Sequence, residues 1–145
     1  MRLLFLFLLV LVVLVSGCTK VTDCGSNIEC FKNNAKTCSK SKFLIPQEGS
    51  EILITLRGIH KENCGISFKI INVGDKIKES YPLAPELKGK TLNCFVPFRN
   101  IGLKDWVKFI LVDTQFDAYC LGQVKDIAKG PLEDIIKKKL QEVST

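Results

Sequence analysis

The chain has 145 residues, 46% of them hydrophobic and 25% charged, with a formal charge of +6 and seven cysteines. That is one domain's worth of sequence, long enough to bury a core, and the composition excludes a disordered or low-complexity chain. The basic excess implies loose attraction to anionic surfaces, but not specific nucleic-acid binding, because the lysines are mixed with acids and no aromatics interleave with a basic stripe.

Arg2 precedes an unbroken apolar run from Leu3 to Val15, and Ser16, Gly17 and Cys18 follow it. Basic, apolar and small residues in that order make a secretory leader with its cleavage site. The run is shorter than the about 20 apolar residues that cross a bilayer. Leu14-Val15-Ser16-Gly17-Cys18 resembles the lipobox of prokaryotic lipoproteins. The resemblance implies that residues 1–17 are removed and that Cys18 becomes the lipidated first residue. Lipid there anchors the chain to the cell membrane on its extracytoplasmic side; plain secretion is the alternative. One acyl chain anchors marginally, and two or more hold firmly.

Setting Cys18 aside leaves Cys24, Cys30, Cys38, Cys64, Cys94 and Cys120. An even set in an exported chain reads as three disulfides, and the odd cysteine is the one placed to carry lipid. No metal site is indicated: the spacings are wide, there is no C-x-x-C, and His60 is the sole histidine.

After the leader, residues 18–25 read as a lipidated linker and 26–145 as a single disulfide-stabilised domain. Ser26-Asn27-Ile28-Glu29 has the form of a capping box, with Ser26 accepting from the N–H of Glu29. The helix it opens carries Ile28, Phe31, Ala35 and Cys38 near one face. Cys30 and Cys38 lie about 12 Å apart along a straight helix and cannot pair, so the helical cysteines are expected to staple it to distant parts.

Lys42–Gln47 is a short strand, and Pro46 places it at an edge. Ser50–His60 alternates through Ile52, Ile54 and Leu56, and 64–73 through Cys64, Ile66, Phe68 and Ile70. These two runs fit a hairpin over the loop Lys61-Glu62-Asn63. Its register sets His60 opposite Cys64, Leu56 opposite Phe68 and Ile54 opposite Ile70, with Asn63 in the left-handed position. Gly74–Lys90 reads as a charged loop. Thr91–Phe98 is a further strand with Leu92, Cys94, Val96 and Phe98 on one face. Cys64 and Cys94 both face the core, and they are the disulfide pair singled out, the remaining connectivity staying open.

Leu103, Trp106, Val107, Ile110 and Leu111 follow helical spacing after a cap at Asn100, and helix is favoured over a strand at Val107–Val112. A connection over 114–129 carries Tyr119 and Cys120. The last helix begins with Pro131 in its first turn and carries Leu132, Ile135, Ile136, Leu140 and Val143 as one stripe. The fold expected is α+β: a small antiparallel sheet of three to five strands, disulfide-stapled, with the N-terminal helix and the C-terminal helices packed on one face.

Asp23-Cys24-Gly25, Cys30-Phe31, Cys38-Ser39, Cys64, Cys94 within Leu92–Pro97, and Tyr119-Cys120 together resemble the pattern of small cysteine-patterned lipoproteins and secreted proteins of prokaryotic, especially archaeal, genomes. The resemblance implies localisation and fold and carries over no functional residues.

No catalytic residue and no cofactor is assigned. There is no G-x-S-x-G, no Gly-rich phosphate loop and no H-E-x-x-H. His60 at a turn reads as a surface residue. Glu133-Asp134 reads as a helix start complementing the helix dipole, and Lys137-Lys138-Lys139 as a solvated helix end. Gly74–Lys90 is the best-placed binding surface, because loops carry recognition on rigid scaffolds. The function these features favour is a membrane-tethered, non-enzymatic binding or scaffolding module. Its partner is an envelope protein or an anionic polymer. The alternative is a small secreted hydrolase-like enzyme whose site assembles from distant residues around His60 or a carboxylate pair.

Overall fold

A computed structural model describes residues 20–101, 118–122 and 125–143. In chain order the elements are β1 (Thr22–Asp23), α1 (Ile28–Lys36), β2 (Ser41–Gln47), β3 (Ser50–His60), β4 (Asn63–Asn72), α2 (Asp75–Ser80), a 3-10 turn (Ala84–Leu87), β5 (Thr91–Pro97), α3 (Phe98–Ile101), β6 (Cys120–Leu121) and α4 (Lys125–Val143). The six strands form one sheet in chain order. β1 pairs parallel with β2, and every other pairing is antiparallel.

The alternating residues of the long strands build the core. Phe43, Ile45, Ile52, Ile54, Leu56, Ile66, Phe68, Ile70, Leu92 and Val96 are all buried. α1 packs on this face by stacking Phe31 on Phe43, with ring centroids 4.9 Å apart. α4 adds Ala128, Leu132, Ile135 and Ile136 to the same cluster.

The hairpin of β3 and β4 forms as expected, but in a different register. His60 faces Asn63, Leu56 faces Ile66, Ile54 faces Phe68 and Ile52 faces Ile70. The turn is therefore two residues, Lys61 and Glu62, with φ of 47° and 65°, and Asn63 belongs to the strand. A two-residue turn alone would set Leu56 opposite Ser67 and expose half the core positions. A bulge between Leu56 and Gly58 leaves Arg57 as an extra residue and restores the inward parity.

The sheet is larger than the three to five antiparallel strands expected, and one of its pairings is parallel. β1 and β6 are each two residues, too short for any alternation to be read. β1 lies inside the stretch read as a linker. It is held by Thr22 N–H to Lys40 O at 3.0 Å and Cys24 N–H to Lys42 O at 2.9 Å. Nor are the helices confined to the two ends of the chain. α2, the 3-10 turn and α3 interrupt the region around β5.

Asn27, rather than Ser26, caps α1 by accepting from Cys30 N–H at 3.0 Å. Gly25 and Ser26 form the turn that Asn27 N–H closes on Cys24 O at 2.9 Å, which places Ser26 before the cap. The helix stops at Lys36, before Cys38. Ser39 N–H returns to Asn34 O, and Cys38 N–H to Ala35 O, which is a Schellman stop with Cys38 at φ 50°.

α4 starts at Lys125, not Pro131, which lies within it. The helix runs ahead of the proline because its first turns pack Ala128 into the same core cluster as Leu132, so tertiary contact sets its start. The expected helix through Leu103–Leu111 with Trp106, and its strand alternative, lie outside the described residues.

Three disulfides close the fold: Cys24–Cys30, Cys38–Cys64 and Cys94–Cys120. The expected Cys64–Cys94 pair does not form. In the register, Cys64 faces Val96 and Cys94 faces Ile66. The two cysteines are thus diagonal neighbours on adjacent strands, about 7–8 Å apart and beyond bridging distance. Cys38–Cys64 staples the end of α1 to a distant strand, as expected for a helical cysteine. Cys24–Cys30 is instead local, tying the turn after β1 to the first turn of α1. Cys94–Cys120 fixes β6 on β5.

Non-reducing peptide mapping is expected to recover these three pairs and no peptide joining Cys64 to Cys94. Loop closure predicts that Cys38→Ser with Cys64→Ser lowers unfolding free energy by roughly 3–4 kcal/mol in denaturant titration. The local Cys24→Ser with Cys30→Ser is expected to cost about 2 kcal/mol, the loops being 26 and 6 residues.

Candidate functional site

The segment 74–90, expected to be a charged loop and binding surface, is folded against the body. Gly74 donates its N–H to Ser50 Oγ at 2.8 Å, and a Cβ at this position would collide with the carbonyl oxygen of Glu48. Ile77, Ala84 and Leu87 are buried, and Gly89 N–H bonds Ile70 O at 2.7 Å. Lys78 lies 2.7 Å from Asp75, and its hydrogen bond and charge hold the exposed Asp75 carboxyl below the usual carboxylate range.

Tyr81 ties this segment to α4. Its ring lies against Gly130, where a side chain would clash, and its hydroxyl donates to Asp134 at 2.9 Å. Burial first, then the hydrogen bond and charge of Asp134, push the phenol above the ordinary value of 10.0. Glu133 and Asp134 therefore sit in the interior of α4 and not at its start, and Asp134 serves as an anchor. Lys137-Lys138-Lys139 lie in the last part of α4.

His60 is exposed at the end of β3 and faces Asn63 across the hairpin. Among the described residues no hydrogen bond or ion pair joins its side chain, and no group of three or more His, Cys, Asp or Glu side chains gathers. The six cysteines of the domain are consumed in pairs, which leaves them no thiol for nucleophilic chemistry.

A concave site does form around the β3–β4 turn, at the end of the sheet away from the 74–90 segment. A hollow of about 520 Å³ is lined by Ile59, Lys61, Glu62, Asn63, Pro97, Phe98 and Arg99. β5 ends here at Pro97, whose missing N–H suits a strand end, and α3 begins at once. Phe98 N–H donates to Glu62 O at 2.8 Å, joining α3 to the turn. Ile59 is 54% exposed and Phe98 37%, so the hollow has apolar walls. Lys61 and Arg99 are exposed at its rim, and among the described residues neither is paired with a carboxylate. Arg57, the bulge residue, reaches Asn93 Oδ1 at 3.3 Å, an atom that also accepts from Ser67 Oγ. Apolar walls with two cations, Lys61 and Arg99, against one carboxylate, Glu62, suit an anionic amphiphilic partner.

Residue order does not reveal this site: alternation sets Phe98 on the inward face of its strand and leaves Ile59 out of phase. The available signal was the phase jump from the even positions Ile52, Ile54 and Leu56 to the odd Ile59, which is the trace of the bulge.

Comparison with known protein families, with curated proteins and with solved structures finds no match for this chain.

Tyr81→Phe is expected to lower stability by about 1 kcal/mol at neutral pH, through loss of one partly exposed hydrogen bond. Because the folded phenol titrates above its unfolded value, that contribution is complete below pH 10 and is lost as pH climbs through the folded value. Denaturant midpoints of the two proteins should therefore converge at high pH. At the turn, left-handed backbone at Lys61 and Glu62 is strained for residues with a Cβ. Lys61→Asn with Glu62→Gly is expected to raise stability by about 1–2 kcal/mol in the same titration.

Proposed function

We propose that the chain is an extracytoplasmic domain held at the cell membrane by lipid on Cys18, where it serves as a non-enzymatic module that binds or scaffolds another envelope component. The observation that carries this reading is the cysteine pairing. Cys24, Cys30, Cys38, Cys64, Cys94 and Cys120 are all joined to one another, so none is left to pair with Cys18. The three bonds themselves mark an oxidising, extracytoplasmic or secreted environment.

The apolar run before Cys18 and the small residues beside it supply the export and acylation signal. Among the described residues, no helix is long and apolar enough to cross a membrane. In this reading the tether is the N-terminal segment ending at Cys18. The hollow at the β3–β4 turn supports contact with an anionic amphiphilic component of the envelope. It is built on the ends of two paired strands, which hold its walls in place, while its rim offers charge.

Intact-mass measurement on the full chain expressed in a lipoprotein-processing host should show loss of residues 1–17 and a mass increase on Cys18. Wild-type protein should stay with membranes through a high-salt wash, and Cys18→Ser should be released. A mature chain with a free Cys18 thiol overturns the tether. Chemical crosslinking on intact membranes should join the domain to a recurrent envelope component, and repeated recovery of none overturns the scaffolding role.

A further inference from the structure

We propose that the β3–β4 turn end of the sheet is the membrane-facing surface of this domain. Ile59 and Phe98 seat in the interface of an anionic bilayer, and Lys61 and Arg99 lie on its headgroup phosphates. The proposal rests on the tethering reading above and adds the face that the tether presents.

Strand direction is the first argument. β3 runs toward the turn and ends there at His60. β2 pairs antiparallel to it, so Ser41, opposite Leu56, marks the turn-side start of β2. β1 is parallel to β2, with Thr22 level with Ser41. The chain therefore comes into the sheet from the turn end, with Lys20 and the exposed Val21 preceding Thr22 on that side. An extended chain from Thr22 back to Cys18 spans at most about 14 Å. The strand from Leu56 to His60 advances by the same number of residues, so an acylated Cys18 reaches the level of the turn. A lipid at Cys18 and the tip of the hairpin can touch one surface together.

Charge is the second. The turn end carries Lys20, Lys61 and Arg99 with Arg57 behind them. Glu62 is the acid of the turn itself. The opposite end is mixed and internally paired, with Lys76 on Glu48 at 3.1 Å and Lys78 on Asp75 at 2.7 Å. Cations in reach of an anionic leaflet are attracted within a Debye length of about 8–10 Å. The tether keeps this end inside that range.

The third argument is the makeup of the tip. Ile59 lies on the inward-facing side of β3, level with Cys64 and Val96, yet it is 54% exposed while they are fully buried. Phe98 beside it is also open. The turn between them holds Lys61 and Glu62 in backbone geometry that Asn and Gly would adopt more easily. A local rule broken at an exposed turn points to a role for the side chain that breaks it.

The test uses the full chain, expressed with its leader and reconstituted in phosphatidylcholine vesicles with or without phosphatidylglycerol. A benzophenone-bearing residue replaces Ile59, Phe98 or, as the far-end control, Leu83. Irradiation should give lipid adducts at 59 and 98 about fivefold above those at 83, and only with phosphatidylglycerol present. Lys61→Glu with Arg99→Glu should lower the yield by a similar factor at an unchanged melting temperature. Lys61→Gln with Arg99→Gln is read instead if the reversal unfolds the domain. Equal labelling at the three positions, labelling indifferent to phosphatidylglycerol, or loss of the adducts to soluble polyglutamate but not to excess neutral lipid overturns docking on a bilayer. Intact mass on the same sample reports the tether separately. A free Cys18 thiol ends the tethering reading, while the adduct pattern of chain added to vesicles still decides the docking.

Discussion

Every inward side chain of this domain depends on the parity of one hairpin. The side-chain period of a strand is two, so a slip of one residue between β3 and β4 would turn Ile52, Ile54 and Leu56 out to solvent. The two-residue turn at Lys61 and Glu62 imposes that slip, and the bulge at Arg57 cancels it. With the parity restored, Ile66, Phe68 and Ile70 meet their partners on one face, and β2, β5, α1 and α4 pack against it. Past the same bulge Ile59 stays exposed at the edge of the core, and Arg57 reaches Asn93. The stability of the centre and the chemistry of the tip thus have a common origin.

Around that centre the fold is held by cross-links where its elements are too short to hold themselves. A two-residue strand makes too few ladder bonds to persist alone. β1 is followed at once by Cys24, bound to the first turn of α1, and β6 contains Cys120, bound to β5. Cys38–Cys64 joins the stop of α1 to the strand beneath the tip. That bond also steadies a non-glycine residue in the left-handed position of a Schellman stop. Surface ion pairs contribute little by comparison, about 0–1 kcal/mol each. Such an arrangement suits an oxidising compartment and would be lost in a reducing one.

The two ends of the sheet differ in kind. At one end, the 74–90 segment is closed down by Gly74 on Ser50, Tyr81 on Asp134 and the Lys76–Glu48 ion pair. At the other, the turn, α3 and the start of β1 present apolar side chains and cations together. A tethered domain has only one end that can meet the surface to which it is attached. In the reading proposed above, the tether and the open end coincide, leaving the closed end turned toward the aqueous side.

Much of the molecule could be read from residue order alone. Alternation at Ser50–His60 and 64–73 and a strand from Thr91 follow from local periodicity, as do a helix opening within Ser26–Glu29 and the apolar stripe Leu132, Ile135 and Ile136, while the strand's end at Pro97 and the cap at Asn27 do not. An even set of six cysteines implied cross-links, which the fold contains. Which cysteines joined was decided only by tertiary structure, because a disulfide depends on distance across the sheet and Cys64 and Cys94 fall diagonally in the register. Tertiary packing likewise decided the start of α4 ahead of Pro131 and the folding of 74–90, where Tyr81 and Gly130 meet from residues far apart in the chain. The short strands β1 and β6 were invisible for the same reason: two residues carry no period, and long-range pairing alone makes them strands.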